Sequence, residues 1–483
     1  MTDPEIETDP RELTIWLAAI GVAALGTWIL YDGLPGINWG IWTTAAALGL
    51  FFFQRASLSR AVVIPAAAAI VIAFGATVTA DEFMNFLTVL SVIVLLAFAM
   101  LLSPDPRLRR ITAAFFLAAP IVAFASACIE ALKRASHALA LVRSDRARSV
   151  LRGLIITLPV VIIFALLLST ADPIFADWRE AVKNLIANWE FLPRTVFFIA
   201  LLTITLGAYG FAIYTEPKPG QLSEREPRKF IGATERLMLL SSVALLFWIF
   251  LAVQLSYFFG NLPEVQGSGM TFAEYARRGF AELTVVATAS VVLILVSERF
   301  GLTDARSGKL RIATLAVLVG VLFLLASAFN RVLLYEEAYG FTTSRLYAQA
   351  YMLIVAAALF ALGWEMRGEI EPSRFFRRTF ATATVVFIVL LYWNHHAWIA
   401  NRNIDRVAST GKLDIVYLTR DLALDAIPTV VERLPSIPEP MRSDLQRALI
   451  ARNARRSPRL FNNTWYQFNI SRSAAKEALA RLQ

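Results

Sequence analysis

Apolar residues in this chain run in long uninterrupted blocks rather than alternating with polar ones. Uncharged stretches of about 18 to 22 residues recur, and at about 1.5 Å per helical residue each can cross a hydrocarbon layer about 30 Å thick. Twelve such segments are predicted, near residues 13–31, 37–54, 61–80, 85–103, 111–130, 150–170, 194–214, 237–258, 279–298, 311–330, 344–364 and 379–396. A strand barrel would alternate lipid-facing and lumen-facing residues, so that class is excluded. The pattern predicts an all-α polytopic transmembrane bundle of about eleven or twelve spans, with a small helical extramembrane domain at its C-terminal end. It divides the chain into an N-terminal group of spans (1–214), a C-terminal group (215–396) and a soluble or interfacial tail (397–483).

The tail holds 14 Lys/Arg and 8 Asp/Glu and no spanning run. Its spacing predicts about three short helices: one ahead of Pro428, one placing Met441, Leu445 and Leu449 four apart, and a last one over "SRSAAKEALARLQ". Lys and Arg collect in cytoplasmic loops. Loops 216–236, 299–311 and 367–378 carry 5, 4 and 4 of them, against 3, 2 and 2 in 171–194, 259–278 and 330–345. The tail is therefore expected outside. Two arrangements satisfy the first half: segment 111–130, interrupted by Pro120, stops short of crossing and the N-terminus is inside with eleven crossings, or it crosses and the N-terminus is outside with twelve.

Composition agrees with this picture. The chain has 483 residues, 57% hydrophobic, with a mean hydropathy of +0.58. Its net charge of +9 is explained by cytoplasmic loops, and no nucleic-acid partner is expected. The single cysteine, Cys128, excludes an intrachain disulfide and a thiolate cluster. With three histidines in all, a histidine-based metal or haem site is not expected, nor is any other cofactor. The acidic opening "MTDPEIETDPRE" lacks a basic n-region, so the first span is expected to be retained.

Charged groups gather at the outward ends of spans. In "MTFAEYARRGFAEL", Thr271 and Glu274 form a capping box, and Glu274, Arg277, Arg278 and Glu282 line the lip of the following span. In "NRVLLYEEAYGFTTSRLY", Tyr335 and Tyr339 share a helix face while Glu336 and Glu337 diverge by about 100°. Gly340 can end that helix, Thr342 or Thr343 can cap the next, and Arg345 falls close to Glu336 or Glu337. These residues are the candidate polar outward site. In "YWNHHAWIANRNIDR", Trp393 and Trp398 suit an aromatic belt. His395 and His396, being adjacent, point to different helix faces and make poor joint ligands.

Three stretches together, 254–283, 331–352 and 401–430, resemble the bacterial integral-membrane family called domain of unknown function 4173, which is related to the 4153 family. The residues that carry the resemblance are Ala273 to Phe280, including Tyr275 and Gly279, then Tyr339, Gly340 and Thr342 with Arg345. Asn403 with Arg406, Asp414 with Tyr417, and Asp425 with Pro428 follow. Phe341 stands where the family usually has Leu, and "WYQFNISRSAAKEAL" is similar to its Trp-rich ending. The resemblance covers about the second half of the chain. It implies an integral-membrane protein of unassigned biochemistry and supplies no catalytic residues.

Three functional readings follow. The first is a non-enzymatic envelope protein, a sensor, assembly factor or scaffold, whose partners are the bilayer and an envelope protein or lipid-like ligand at the outward face. The second is a transporter of a polar or lipid-like solute, which needs a polar path through the second-half spans. The third is an enzyme of the lipid-linked glycosyltransferase kind. It needs an acid in an early outward loop, and only Asp32 and the Asp81–Glu82 pair qualify.

Overall fold

Where water is scarce, a backbone must bond within its own segment, so long apolar runs fold as helices. The computed structural model describes residues 10–54, 59–104, 113–140, 191–215, 229–259, 280–302, 308–368, 371–454 and 464–482, with positions 153, 157 and 161. Among the described residues, eleven helices belong to the bundle: α1 (Pro10–Leu30), α2 (Ile37–Phe53), α3 (Arg60–Gly75), α4 (Glu82–Leu102), α5 (Ala113–Ala140), α6 (Phe191–Tyr214), α7 (Ala233–Phe259), α8 (Phe280–Phe300), α9 (Gly308–Tyr339), α10 (Thr343–Glu365) and α11 (Pro372–Tyr392). They coincide with every predicted segment except 150–170, nearly all of which lies outside the described residues. Among the described residues, α1, α4 and α6 to α11 are long and apolar enough to cross a membrane, while α2 and α3 are shorter apolar helices. No strand occurs among them, only one isolated bridge from Ile231 to Gly301.

Among the described residues the bundle has three apolar clusters, the smallest formed by Ile72, Met84, Val92 and Leu391 from α3, α4 and α11; the other two are larger. One gathers side chains such as Ile15, Leu50, Phe98, Ala123 and Tyr209 from α1 to α6; the other gathers Leu240, Ile294, Val321, Leu324, Met352 and Leu359 from α7 to α10. In lipid, helices associate through close contact of small residues. α5 and α6 show this: Ala119, Ala123, Ala127 and Ala131 are buried at four-residue spacing, and a Cβ on Gly207 would come within 1.9 Å of the Ala127 carbonyl oxygen. The pairs 127 with 207 and 130 with 210, together with Arg134 lying 3.8 Å over the Tyr214 ring, show that the two helices run parallel.

Ion pairs mark one end of the bundle. Arg134 holds Glu130 at 2.7 Å and Glu12 at 3.0 Å, Arg236 pairs with Glu298, and buried Glu365 receives both Arg374 and Arg378. The tail covers the other end. Its helices are α12 (His395–Asp405), α13 (Ile427–Arg433), α14 (Met441–Ala454) and α15 (Ile470–Ala480), packed around Leu418, Ile427, Leu445, Leu449 and Ala475. Trp28 near the end of α1 meets Trp465 edge to face at 6.1 Å, so the start of α1 and the tail lie at opposite ends of the bundle.

Two local expectations differ from the outcome. Residues 412–426 form turns, a short π-helical turn and a 3-10 turn rather than a helix ahead of Pro428. Pro428 instead sits in the first turn of α13, where its missing N–H costs nothing. The last span likewise stops at Tyr392, four residues early, because Asn394 caps a new helix by accepting the Ala397 N–H at 3.0 Å.

The turn between α9 and α10 follows the expected plan. Gly340 ends α9 at φ +91°, Glu336 is buried while Glu337 is exposed, and the rings of Tyr335 and Tyr339 lie 4.9 Å apart, tilted by 47°. The tail grips this turn. Asn403 accepts the Phe341 N–H at 2.8 Å and donates to its carbonyl at 2.9 Å, and Tyr417 accepts the Thr343 N–H at 2.8 Å. Arg406 donates to the Glu337 and Ala338 carbonyls, which the end of a helix leaves open.

A second grip holds the loop between α3 and α4. Asn469 donates to the Ala76 and Thr79 carbonyls at 2.8 and 2.9 Å, the Ile470 N–H to Thr77 at 2.7 Å, and the Ser471 hydroxyl to Val78 at 2.6 Å. Asp425 accepts the Ala80 N–H at 2.9 Å.

Substituting Gly340 by Val should destabilise the protein by about 2 to 3 kcal/mol, because a Cβ there meets Asn403 Oδ1 and Arg406 Nη1 at 2.7 Å on a left-handed backbone. Asn469→Ala should cost about 2 to 4 kcal/mol by orphaning two buried carbonyls and removing the α15 cap. Thermal unfolding of the detergent-solubilised protein measures both; wild-type melting temperatures would overturn the two assignments.

Candidate functional site

The predicted outward residues do not converge. Glu274, Tyr275, Arg277, Arg278 and Gly279 lie outside the described residues, and Glu282 is exposed at the start of α8. Glu336 is hydrogen-bonded to Gln349 Nε2 at 2.7 Å. Arg345 reaches back to the Gly340 carbonyl and lies 4.1 Å over the Tyr335 ring, and it stays close enough to Glu336, as expected, for its charge to act on that carboxylate. Thr342 occupies the cap position of α10, but its hydroxyl faces Ser344 instead of capping the helix. Asp414 accepts the Tyr417 N–H at 2.9 Å. Gly340, Asn403, Arg406, Asp414, Tyr417, Asp425 and Pro428 thus shape the tail and its docking.

The structure instead concentrates chemistry where α4, α10 and α12 meet. Asp81 caps α4: its Oδ1 accepts the N–H groups of Phe83 at 2.7 Å and Met84 at 3.1 Å. Its Oδ2 faces two partners, His396 Nε2 at 2.5 Å and the Tyr347 hydroxyl at 3.2 Å. The same hydroxyl lies 3.0 Å from His395 Nε2. Both histidines are 2% exposed, and their rings sit 4.4 Å apart. Adjacent Cα–Cβ bonds on a helix do diverge by about 100°. Rotation about the side-chain bonds nevertheless brings these two rings together at the first turn of α12.

Proton positions follow from the neighbours. His395 Nδ1 faces the Leu390 and Trp393 carbonyls at 3.1 and 3.2 Å, and two acceptors require that nitrogen to carry the hydrogen. Burial, then the neighbouring His396, lowers the His395 pKa. Tyr347 has one hydroxyl hydrogen, which it donates to Asp81 Oδ2, and its oxygen lies against His395 Nε2. Burial alone would raise the Asp81 pKa. The His396 hydrogen bond and charge, with the Met84 and Phe83 N–H groups, outweigh it and hold the carboxyl at about 2.

Beside this cluster a cavity of about 630 Å³ opens at the tail-bearing face. Asp81, Glu82, Tyr347 and His396 form one wall, and Arg420, Asp421 and Arg452 contribute to another. Arg452 donates through Nη2 to the Leu422 carbonyl at 3.1 Å, but its buried Nη1 has no partner among the described residues. Burial lowers its pKa, the mark of a cation short of compensation. A second cavity of about 400 Å³ shares Arg420 and Arg452. The site therefore offers a carboxylate–imidazole wall and a guanidinium wall.

Asp81 was legible only as an acid that a lipid-linked enzyme would need. Tyr347, Arg420 and Arg452 carried no local signal. Asp32, the other such acid, pairs with Arg194 at 2.6 Å on the surface, each more than half exposed.

No curated protein and no solved structure matches the chain. One family model does, over residues 66–433, about three quarters of the sequence. It takes in most of the first half as well as the stretches that carried the resemblance. The family is the related 4153 rather than 4173, and the match ends before α14 and α15. The chain thus belongs to the family described as domain of unknown function (DUF4153).

Proposed function

We propose that this protein is a non-enzymatic sensor-type component of the bacterial inner membrane. Its tail faces outward and its tail-face cavity binds the anionic headgroup of a lipid-like ligand. The observation that carries this reading is the unpartnered, buried Nη1 of Arg452 beside an open cavity at the end of the spans. A phosphate or carboxylate in that cavity would complete the guanidinium through charge-assisted hydrogen bonds. Phe83, 49% exposed on the cavity wall, offers apolar surface for the ligand's chain.

The orientation rests on two supports. The basic loops 216–236, 299–311 and 367–378 join helix ends opposite the tail. The start of α1 also lies opposite the tail, as eleven crossings with an inside N-terminus require and twelve do not. Transport has weaker support: the core of α7 to α10 is packed with apolar side chains such as Leu240, Val321, Leu324 and Leu359, and of its buried polar groups Glu336 and Gln349 are bonded to each other near the tail-side turn. A scaffold role could use the same face without the cavity. The enzyme reading keeps one specific support: Asp81, an acid that reading requires, is buried against His396 on the cavity wall.

Arg452→Gln should weaken binding of dihexanoyl phosphatidylglycerol to the detergent-solubilised protein by about ten- to a hundredfold, the loss of one charge-assisted hydrogen bond of about 1.5 to 3 kcal/mol. Titration calorimetry measures it, with Arg420→Gln as the second variant; equal affinity in wild type and both variants would sink the proposal. For topology, alkaline phosphatase fused after Gln483 should be active, whereas fluorescence from a cytoplasm-dependent reporter at that position would reverse the orientation.

A further inference from the structure

Two of the chain's three histidines are buried side by side against one carboxylate. Asp81, His395 and His396 each bring one ligand-type atom, and these atoms lie within 4.8 Å of one another. We propose that Asp81, His395 and His396 form a binding site for a divalent transition-metal ion of the zinc class, reached from the tail-face cavity.

Zinc binds imidazole nitrogen and carboxylate oxygen at about 2.0 to 2.2 Å, which sets tetrahedral ligand atoms about 3.3 Å apart. The Tyr347 hydroxyl, 3.2 Å from Asp81 Oδ2 and 3.0 Å from His395 Nε2, bridges two of the three ligand residues. When an ion replaces the shared proton, the 2.5 Å contact between His396 Nε2 and Asp81 Oδ2 must lengthen by about 0.8 Å, and the His395 ligand atom, already within 4.8 Å of the other two, must settle at about the same spacing from them.

The surroundings already orient the ligands as metal sites require. A ligating histidine donates its other N–H to a carbonyl or carboxylate, and His395 Nδ1 faces two carbonyls, leaving Nε2 free to ligate. Asp81 Oδ1 is fixed by two backbone N–H groups, leaving Oδ2 to face the ion. His396 Nδ1 lies 3.5 Å from the Ala423 N–H, too far to lock the opposite tautomer. Asp81 and His396 line the cavity and provide the entry path. Two imidazoles and one carboxylate suit zinc and its neighbours; calcium and magnesium prefer all-oxygen sites. A low histidine count argued against such a site, yet three ligands suffice and the fold assembles them from distant positions.

This inference stands on residues other than Arg452, so either can fail alone. The full-length protein in detergent, stripped with a chelator and dialysed against Zn²⁺, should retain about one zinc per chain by elemental analysis. Asp81→Asn and His396→Asn should each weaken binding at least about tenfold. His137→Gln, at an exposed position in α5, should change nothing. A wild-type chain that retains no zinc, or equal zinc in wild type and the site variants, would overturn the site and leave a hydrogen-bonded network alone. Should the site variants fail to accumulate, the wild type decides: Co²⁺ must give the intense visible absorption of a four-coordinate ion, and its absence is equally fatal.

Discussion

Four consecutive carbonyls, from Ala76 to Thr79, set the terms for the tail. They leave α3 at the membrane face, where lipid limits the supply of water and each unsatisfied group is costly. Residues 469 to 471 satisfy all four, and Asp425 takes the next N–H along. The tail thereby completes the backbone bonding of the bundle. It also explains why a polar, arginine-containing segment is buried there: Arg472 is 4% exposed, and burial, opposed by Asp425, lowers its pKa to about 10.

The two ends of the bundle solve their polar problems differently. At the far end, arginines meet carboxylates directly, with Glu365 fully covered between Arg374 and Arg378. Such clamps fix helix ends through charge pairing. At the tail end, many of the polar contacts go to backbone groups, met by the amides of Asn403 and Asn469, the hydroxyls of Tyr417 and Ser471, and the charged groups of Arg406 and Asp425.

How much of this the sequence held depends on the range of each interaction. Spans were legible because hydropathy acts within about twenty residues, and the Gly340 turn because helix termination is local. The docking residues Asn403, Arg406, Tyr417 and Asp425 were visible as motifs, though their partners were not. The Asp81 site was beyond reach for another reason. Its carboxylate meets partners 266 and 315 positions away, and hydrophobic periodicity carries no information about which helix neighbours which. Divergence of His395 and His396 was a sound statement about Cβ directions, but Asn394 restarts the helix at just those residues and their rings turn inward together.

The site and the seam are linked by adjacency in the chain. Asp81 follows directly on the loop that the tail holds, and Asp425 lies two positions beyond Ala423, whose N–H approaches His396. Docking therefore positions the Asp81 carboxylate from both sides: the loop sets its backbone, and α12 brings the histidines. Movement of the tail relative to α3 and α4 would alter the seam and the Asp81–His396 geometry together. Under the proposed function, an anion bound in the cavity would contact elements on both sides of that seam, so it would favour the docked tail by as much as it prefers the docked cavity. Such coupling is what the proposed sensor role requires, and it would need no element beyond those that already hold the tail in place.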